Sequence, residues 1–310
     1  MGKYILQRLG MMVFVVLGIS FIIFVIMSLT PGNPAILILG QSASPDQIAA
    51  LEEKMGLNNP FFVRYFDYIG NMLHGDFGNS YLTGLPVFDD IFSRFPTTLK
   101  LSALAMFFAA LVGIPVGVIS AIRQYSFVDA ISTTLALLFA SIPNFVLGLI
   151  LMLVFSLNLH MFPATGVQSF ASYVLPALTL SAMTMATLVR MTRSTMLEVL
   201  KQDYIRTARS KGATERSIVL THALRNALLP VITVIGVDFG YLLGGTVVIE
   251  SVFSIPGIGT LLITAIRMKD TPVVMAAIMF VTLAYSLVNL TVDIIYAFID
   301  PRIKSQYEKR

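Results

Sequence analysis

Five polar side chains stand inside or at the edges of long apolar runs in this 310-residue sequence: Asn144, Asp238, Glu250, Asn289 and Asp293. An ionisable group in hydrocarbon is unfavourable, so it either ties helices together or meets a polar solute in a path across the bilayer. Glu250 and Asp293 fall near the ends of their runs, where capping or salt bridging accounts for them. Asp238 falls in the middle of its run. At about 100° per residue, Gly236, Gly240 and Gly244 centre on one helix face. Asp238 then points about 160° away, on a stripe with Val234, Tyr241 and Gly245. If the glycine ridge packs on a neighbouring helix, Asp238 faces lipid or a central path, and lipid is the worse surrounding for a carboxylate. Asp238, Tyr241 and Asn144 are therefore expected to line a path in which Asp238 meets a cationic group. The competing reading is a protonated or paired Asp238 that only joins two helices.

Bond-making chemistry finds no support. His74, His160 and His222 lie in three different segments, without His-x-x-x-His or Glu-x-x-His spacing, so no metal site is expected. There is no Cys, which excludes disulfides, thiolate ligands and Cys nucleophiles. No Gly-x-x-x-x-Gly-Lys-Ser/Thr loop is present to cradle a nucleotide. Neither a Gly-x-Ser-x-Gly elbow nor a paired-carboxylate arrangement suggests hydrolysis, and no catalytic residue is expected.

The elements that carry these residues follow from composition. Hydrophobic residues make up 56% of the chain and charged ones 12%, against about 25% charged in a soluble domain. Six runs have the roughly 20 apolar residues that cross a bilayer: Leu9–Leu29, Leu101–Ile122, Ala130–Leu157, Tyr173–Val189, Ala227–Ile249 and Val273–Ile299. The first, despite Lys3 and Arg8 before it, is too long for the apolar core of a signal peptide and lacks a cleavage site. The chain reads as an all-α polytopic membrane protein of six transmembrane helices. Gly113 and Gly117, like the glycines of the fifth run, are spaced for close helix packing. Pro115, Pro143 and Pro176 are expected to kink or unwind their helices.

With six spans both termini share a side, and that side collects 15 of the 21 Lys and Arg. These are Lys3, Arg8, Arg123, the eight from Arg190 to Arg225, and Arg302, Lys304, Lys309 and Arg310. The Asn158–Ser172 loop opposite has none. Basic loops stay in the cytoplasm, so both termini and the 190–225 loop are expected there. The net charge of +4 is thereby a topology signal, with no nucleic-acid partner implied. Thr30–Phe95, with seven acidic against three basic residues, is expected outside. Within it, Ser44-Pro45-Asp46-Gln47 reads as a helix start with a capping box, and Gly56 as its stop.

One segment is basic, polar and rich in helix formers: Asp203-Tyr-Ile-Arg-Thr-Ala-Arg-Ser-Lys-Gly-Ala213, then His222-Ala-Leu-Arg-Asn-Ala-Leu-Leu-Pro230. Gly212 is a natural helix break. Thr214 can cap a second helix with Glu215 in its first turn. Two short helices about a glycine make a compact protrusion.

That segment resembles the cytoplasmic loop by which membrane subunits of ABC importers grip their ATPase subunits. Its form is similar to the dipeptide/oligopeptide/nickel permease family. Arg206-Thr207-Ala208 stands where the general importer motif has Glu-Ala-Ala, a substitution common in the peptide/nickel branch. Family-like positions recur in order along the chain: Pro31-Gly-Asn-Pro34, Gly75-Asp-Phe-Gly-Asn-Ser80, Arg94-Phe-Pro-Thr-Thr98, Ser141-Ile-Pro-Asn-Phe145, Leu175-Pro-Ala-Leu-Thr179, Val248-Ile-Glu-Ser-Val-Phe253, Pro256-Gly-Ile-Gly259, and Val292-Asp293 through Asp300-Pro-Arg302. The first two read as tight turns.

The resemblance implies a type I ABC importer permease fold in the cytoplasmic membrane of a prokaryote. Its regions would be 1–29, the first span; 30–98, extracytoplasmic; 99–300, the core with a coupling loop at about 194–226; and 301–310, a cytoplasmic tail. It implies a second, homologous permease subunit, two ATPase subunits holding ATP and Mg, and an extracytoplasmic substrate-binding protein that could dock on 30–98. This chain would itself bind no cofactor. Asp203, Arg206, Ala208, Gly212 and Arg225 would couple to the ATPase, and the cargo would be di- or oligopeptides, or alternatively nickel or a metallophore. A secondary transporter would show inverted repeats, and none is convincing here.

Overall fold

The computed structural model describes residues 2–40 and 42–299, and these are helical throughout apart from turns and one isolated bridge between Asn79 and Pro86. The tail from Asp300, with its four basic residues, and the Asp293 side chain lie outside the described residues. The helices are α1 (Gly2–Leu29), α2 (Pro34–Leu39), α3 (Pro45–Lys54), α4 (Phe61–Leu73), α5 (Val87–Ile122), α6 (Phe127–Ser141), α7 (Asn144–Leu151), α8 (Val174–Leu200), α9 (Asp203–Ser210), α10 (Glu215–Ser217), α11 (Leu224–Val252), α12 (Ile258–Arg267) and α13 (Thr271–Ile299). Wider π turns follow α7 at Met152–Asn158 and α10 at Ile218–Ala223.

Among the described residues five helices are long and apolar enough to cross a membrane, or six spans when the bent pair Phe127–Ser141 with Asn144–Asn158 counts as one. The disturbance expected at Pro143 in the third span, Ala130–Leu157, is a bend of 102° between α6 and α7. Pro143 causes it. It supplies no N–H and pushes the preceding residue out of the helical region, and Ile142 sits at ψ 124°. Pro176 does not kink its helix, because it lies in the first turn of α8, where no donor is missed. α8 also runs 11 residues past Val189, the expected end of the fourth span, to Leu200.

The described residues form two compact units, one of Leu99–Ile255 with Leu287–Ile299, the other of Gly2–Thr98 with Pro256–Ser286. In the first, α8 is central and packs against α6, α7 and α11. The glycine spacing of α5 has its expected use. A Cβ on Gly113 would lie 2.9 Å from the Leu188 Cβ, and one on Gly117 would lie 2.7 Å from the Thr192 Cβ and 2.8 Å from the Val189 carbonyl. Only glycine lets these backbones meet. On α11, a Cβ on Gly236 would overlap Val292 and Gly240 is buried, but Gly244 faces open space, so the ridge ends one turn early.

In the second unit α4 lies along the middle of α1. Tyr65 Oη is 3.0 Å from Ser20 Oγ and donates to the Leu17 carbonyl at 3.3 Å. Ser44 and Gln47 form the expected capping box of α3, and Gly56 follows it at φ +64°. The two turn motifs converge on the α12–α13 junction. Asp270, 2% exposed, accepts from Ser80 Oγ at 2.5 Å and from the Tyr81 and Leu82 amides at 3.0 and 3.3 Å. The Lys269 ammonium donates to the carbonyls of Thr30 and Gly32. Burial pushes that ammonium below its ordinary pKa, and nearby burial pushes the Tyr68 phenol up, with Tyr81 adding to it. Neighbours in sequence thus pin two loops more than 180 residues away.

Candidate functional site

The segment between α8 and α11 folds as the sequence requires. α8 ends at Leu200, and the chain turns at Lys201–Gln202 into α9. That turn divides the Thr195–Ser210 stretch, rich in helix formers, between α8 and α9. α9 closes with a left-handed cap: Gly212 at φ +83°, its N–H donating to the Arg209 carbonyl at 2.9 Å and the Ala213 N–H to the Ala208 carbonyl at 3.1 Å. Two otherwise unpaired carbonyls are satisfied by a conformation that costs glycine nothing. Thr214 then caps α10 by accepting from the Ser217 amide at 3.3 Å, as expected. The Arg209 guanidinium closes the turn from outside, donating to both Glu215 oxygens at 2.8 and 3.1 Å.

Beneath the turn lies a core of Ile205, Ile218, Val219, Ala223 and Ala227, packed on Val118 and Ala121 of α5 and on Met196 of α8. The polar faces point outward. Asp203, Arg206, Gly212 and Arg225 are exposed, and Ala208 is half-buried under the cap. Asp203 and Arg206 lie 3.7 Å apart as an exposed pair, worth little by itself. The result is a charged knob on an apolar base shared with α5 and α8.

At the bend between α6 and α7 is a cavity of about 380 Å³, where Ser141, Asn144, Thr184 and Tyr241 meet Leu180, Leu242 and Ile249. Asn144 and Tyr241, 97 residues apart in sequence, are brought together there. Asp238 is not among the residues lining it. It lies three residues earlier on α11, half-buried, and makes no hydrogen bond or ion pair among the described residues. Glu250 is fully buried.

One cluster was not legible in the sequence. Asp129, 4% exposed, accepts from Arg193 Nε and Nη2 at 2.7 and 2.8 Å, from the Tyr125 amide at 2.9 Å and from Ser120 Oγ. All its lone-pair directions are filled, as burying a carboxylate demands. Arg193 counts in sequence as one more basic residue past a span, and nothing local marks its partner 64 positions away. Among the described residues no group of His, Cys, Asp and Glu is arranged to hold a metal ion.

A family profile described as binding-protein-dependent transport system inner membrane component matches residues 113–305, and one for the N-terminal part of such membrane components matches residues 1–102. The glutathione transport system permease proteins GsiC of Salmonella choleraesuis (strain SC-B67) and of Escherichia coli (strain K12) are each 41% identical to this chain over 304 residues, covering 98% of it and 99% of themselves. A chain of the inward-facing MetNI methionine ABC transporter shares the fold, with a TM-score of 0.56 and 19% identity over 68% of this chain and 96% of its own.

Proposed function

Because this chain belongs to the family of binding-protein-dependent transport system inner membrane components, we propose that it is one membrane half of an ATP-driven importer of small peptides. It pairs with a second, homologous permease subunit. Two ATPase subunits, which hold ATP and Mg, bind beneath, and a soluble binding protein delivers cargo from outside. Both termini and the 203–226 protrusion face the cytoplasm, as the basic residues favour.

The observation that carries this reading is the protrusion: a charged knob on an apolar base, with a glycine cap that fixes its shape. An ATPase closing on nucleotide would push such a knob as a rigid body, and Asp203, Arg206 and Arg225 are placed to meet its surface while Ala208 and Gly212 keep the form. ATP-driven closure opens the bundle outward to accept cargo, and hydrolysis returns it inward. The cavity at the α6–α7 bend, with Asn144 and Tyr241, contributes to the path, and Asp238 meets the amino terminus of a passing peptide. The permeases named for glutathione transport support a short peptide as cargo.

The test is purification of the chain with its membrane and ATPase partners, reconstitution, and uptake of glutathione, dipeptides and a nickel complex supplied by the binding protein. Peptide uptake that requires ATP is expected. No ATPase in the purified complex sinks the importer reading, and uptake of the nickel complex alone replaces the cargo. Orientation is read from cysteine variants of this cysteine-free chain. Ser42→Cys and Ser169→Cys should react with an impermeant thiol reagent outside intact cells; labelling of Ser210→Cys would overturn the topology.

A further inference from the structure

The contact between α6 and α8 carries hydrogen bonds at one point only among the described residues. Elsewhere the contact is apolar: Ala136 packs with Ala186 and Val189, with Ala140 of α6 and Val116 of α5 beside them. Such a surface holds two helices together without fixing how far one slides or turns on the other. The two bonds from Arg193 to Asp129 are the only hydrogen bonds between α6 and α8 among the described residues. A guanidinium fork on a carboxylate fixes orientation as well as distance. A buried ion pair is weak grounds for stability, and its better-attested use is to set register.

The position of the pair gives that register a consequence. Arg193 follows Thr192, which touches Gly117 of α5, and the same α5 and α8 ends form the base of the protrusion. Ser120 and the Tyr125 amide join the α5–α6 turn to the same carboxylate. From Asp129, α6 runs about 18 Å to Ser141, where the 102° bend begins and the cavity with Asn144 and Tyr241 lies. A stiff rod therefore joins the protrusion's base to the cavity wall: Ser120 and the 123–126 turn hold it to α5, and the Arg193 pair alone hydrogen-bonds it to α8.

We infer that Asp129 and Arg193 are positioning residues for transport: their pair is the tie through which movement of the 203–226 protrusion reaches the bend at Pro143. This rests on the reading of the protrusion as an ATPase-docking element. With the pair intact, a push on the protrusion turns α5, α8 and α6 together and moves the cavity wall. Without it, α6 slips on its apolar face and the push is not delivered.

The experiment uses the whole reconstituted complex, with uptake and ATP hydrolysis measured side by side. Asp129→Asn should keep its ATPases and still hydrolyse ATP, with peptide taken up per ATP falling about tenfold, within the usual range of coupling between sites. Arg193→Lys, which keeps the charge and loses the fork, should fall between. Asp129→Leu with Arg193→Met leaves no buried charge unpaired, so it assembles even where the single variants do not, and should be uncoupled to the same degree. A variant carrying Asp129→Cys and Arg193→Cys should recover uptake per ATP when a short bismaleimide bridges the two thiols, a rescue that a merely stabilising pair would not give. Uptake and hydrolysis falling in step, a wild-type ratio in the Leu/Met variant, or a bridge that restores nothing would each overturn the tie. Failure of the docking reading looks different: the wild-type complex would then lack bound ATPase altogether.

Discussion

Gly212→Val tests the protrusion at its most demanding residue. The glycine holds φ +83°, while a Cβ built there meets nothing within 4 Å. The Cβ therefore meets no neighbour, and the direct cost of the substitution is backbone strain. A left-handed conformation costs an L-residue about 1–2 kcal/mol, and β-branching places Val at the upper end. Relieving that strain means surrendering the two capping bonds at 2.9 and 3.1 Å and with them the direction in which α9 leaves the turn. A penalty of that size shifts the formed protrusion against its unwound alternatives by about 5–30-fold. Gly212→Asn, which tolerates the left-handed region, should cost much less at the same exposed position. Uptake and ATPase co-purification, with membrane insertion checked by the amount of protein in the membrane fraction, should rank wild type above Asn and Asn well above Val. Insertion should be equal in all three, because the strain lies outside the spans. Equal uptake by the Val and Asn variants would refute the reasoning, since exposure and space are matched and only the backbone preference differs.

Gly117→Ala would put a methyl 2.7 Å from the Thr192 Cβ and 2.8 Å from the Val189 carbonyl. An overpacking cost of about 1–3 kcal/mol should appear as a lower unfolding temperature in detergent, whereas Gly244→Ala, facing open space, should not lower it. Asp270→Ala takes the acceptor from the buried Ser80 hydroxyl and from the Tyr81 amide, costing about 1–3 kcal/mol. The 76–86 segment should then be cut faster by protease added from outside, and unchanged cleavage would count against the knot. Asp238→Asn removes a charge with no partner among the described residues, so assembly should be kept while uptake of cationic peptides falls more than that of neutral ones. Loss of assembly would instead make Asp238 a tie between helices.

Composition and spacing were enough to read the helical class, the apolar spans, the cap of α3 and the two ends of the protrusion. Each depends on properties that neighbours along the chain carry: hydropathy over about 20 residues, the hydroxyls of Ser44 and Thr214, the freedom of Gly212. The same locality explains the errors. Pro143 announced a disturbance in the third span, but whether a proline kinks, breaks or merely opens a helix depends on what satisfies the freed groups, and the 102° bend was visible only in three dimensions. The glycine ridge of α11 was drawn one turn too long because its partner, Val292, sits 56 residues away on a helix whose course the α11 sequence does not encode. Asp129 and Arg193, or Asp270 and Ser80, look like any charged or polar residues in a loop. Their meaning comes from burial, which forces a carboxylate to find donors wherever the packed helices present them. The sequence by itself determined the helical class and the runs apolar enough to span a membrane; tertiary packing alone decided which distant charges meet, because an ion pair is specified by two surfaces brought together and not by either strand of text.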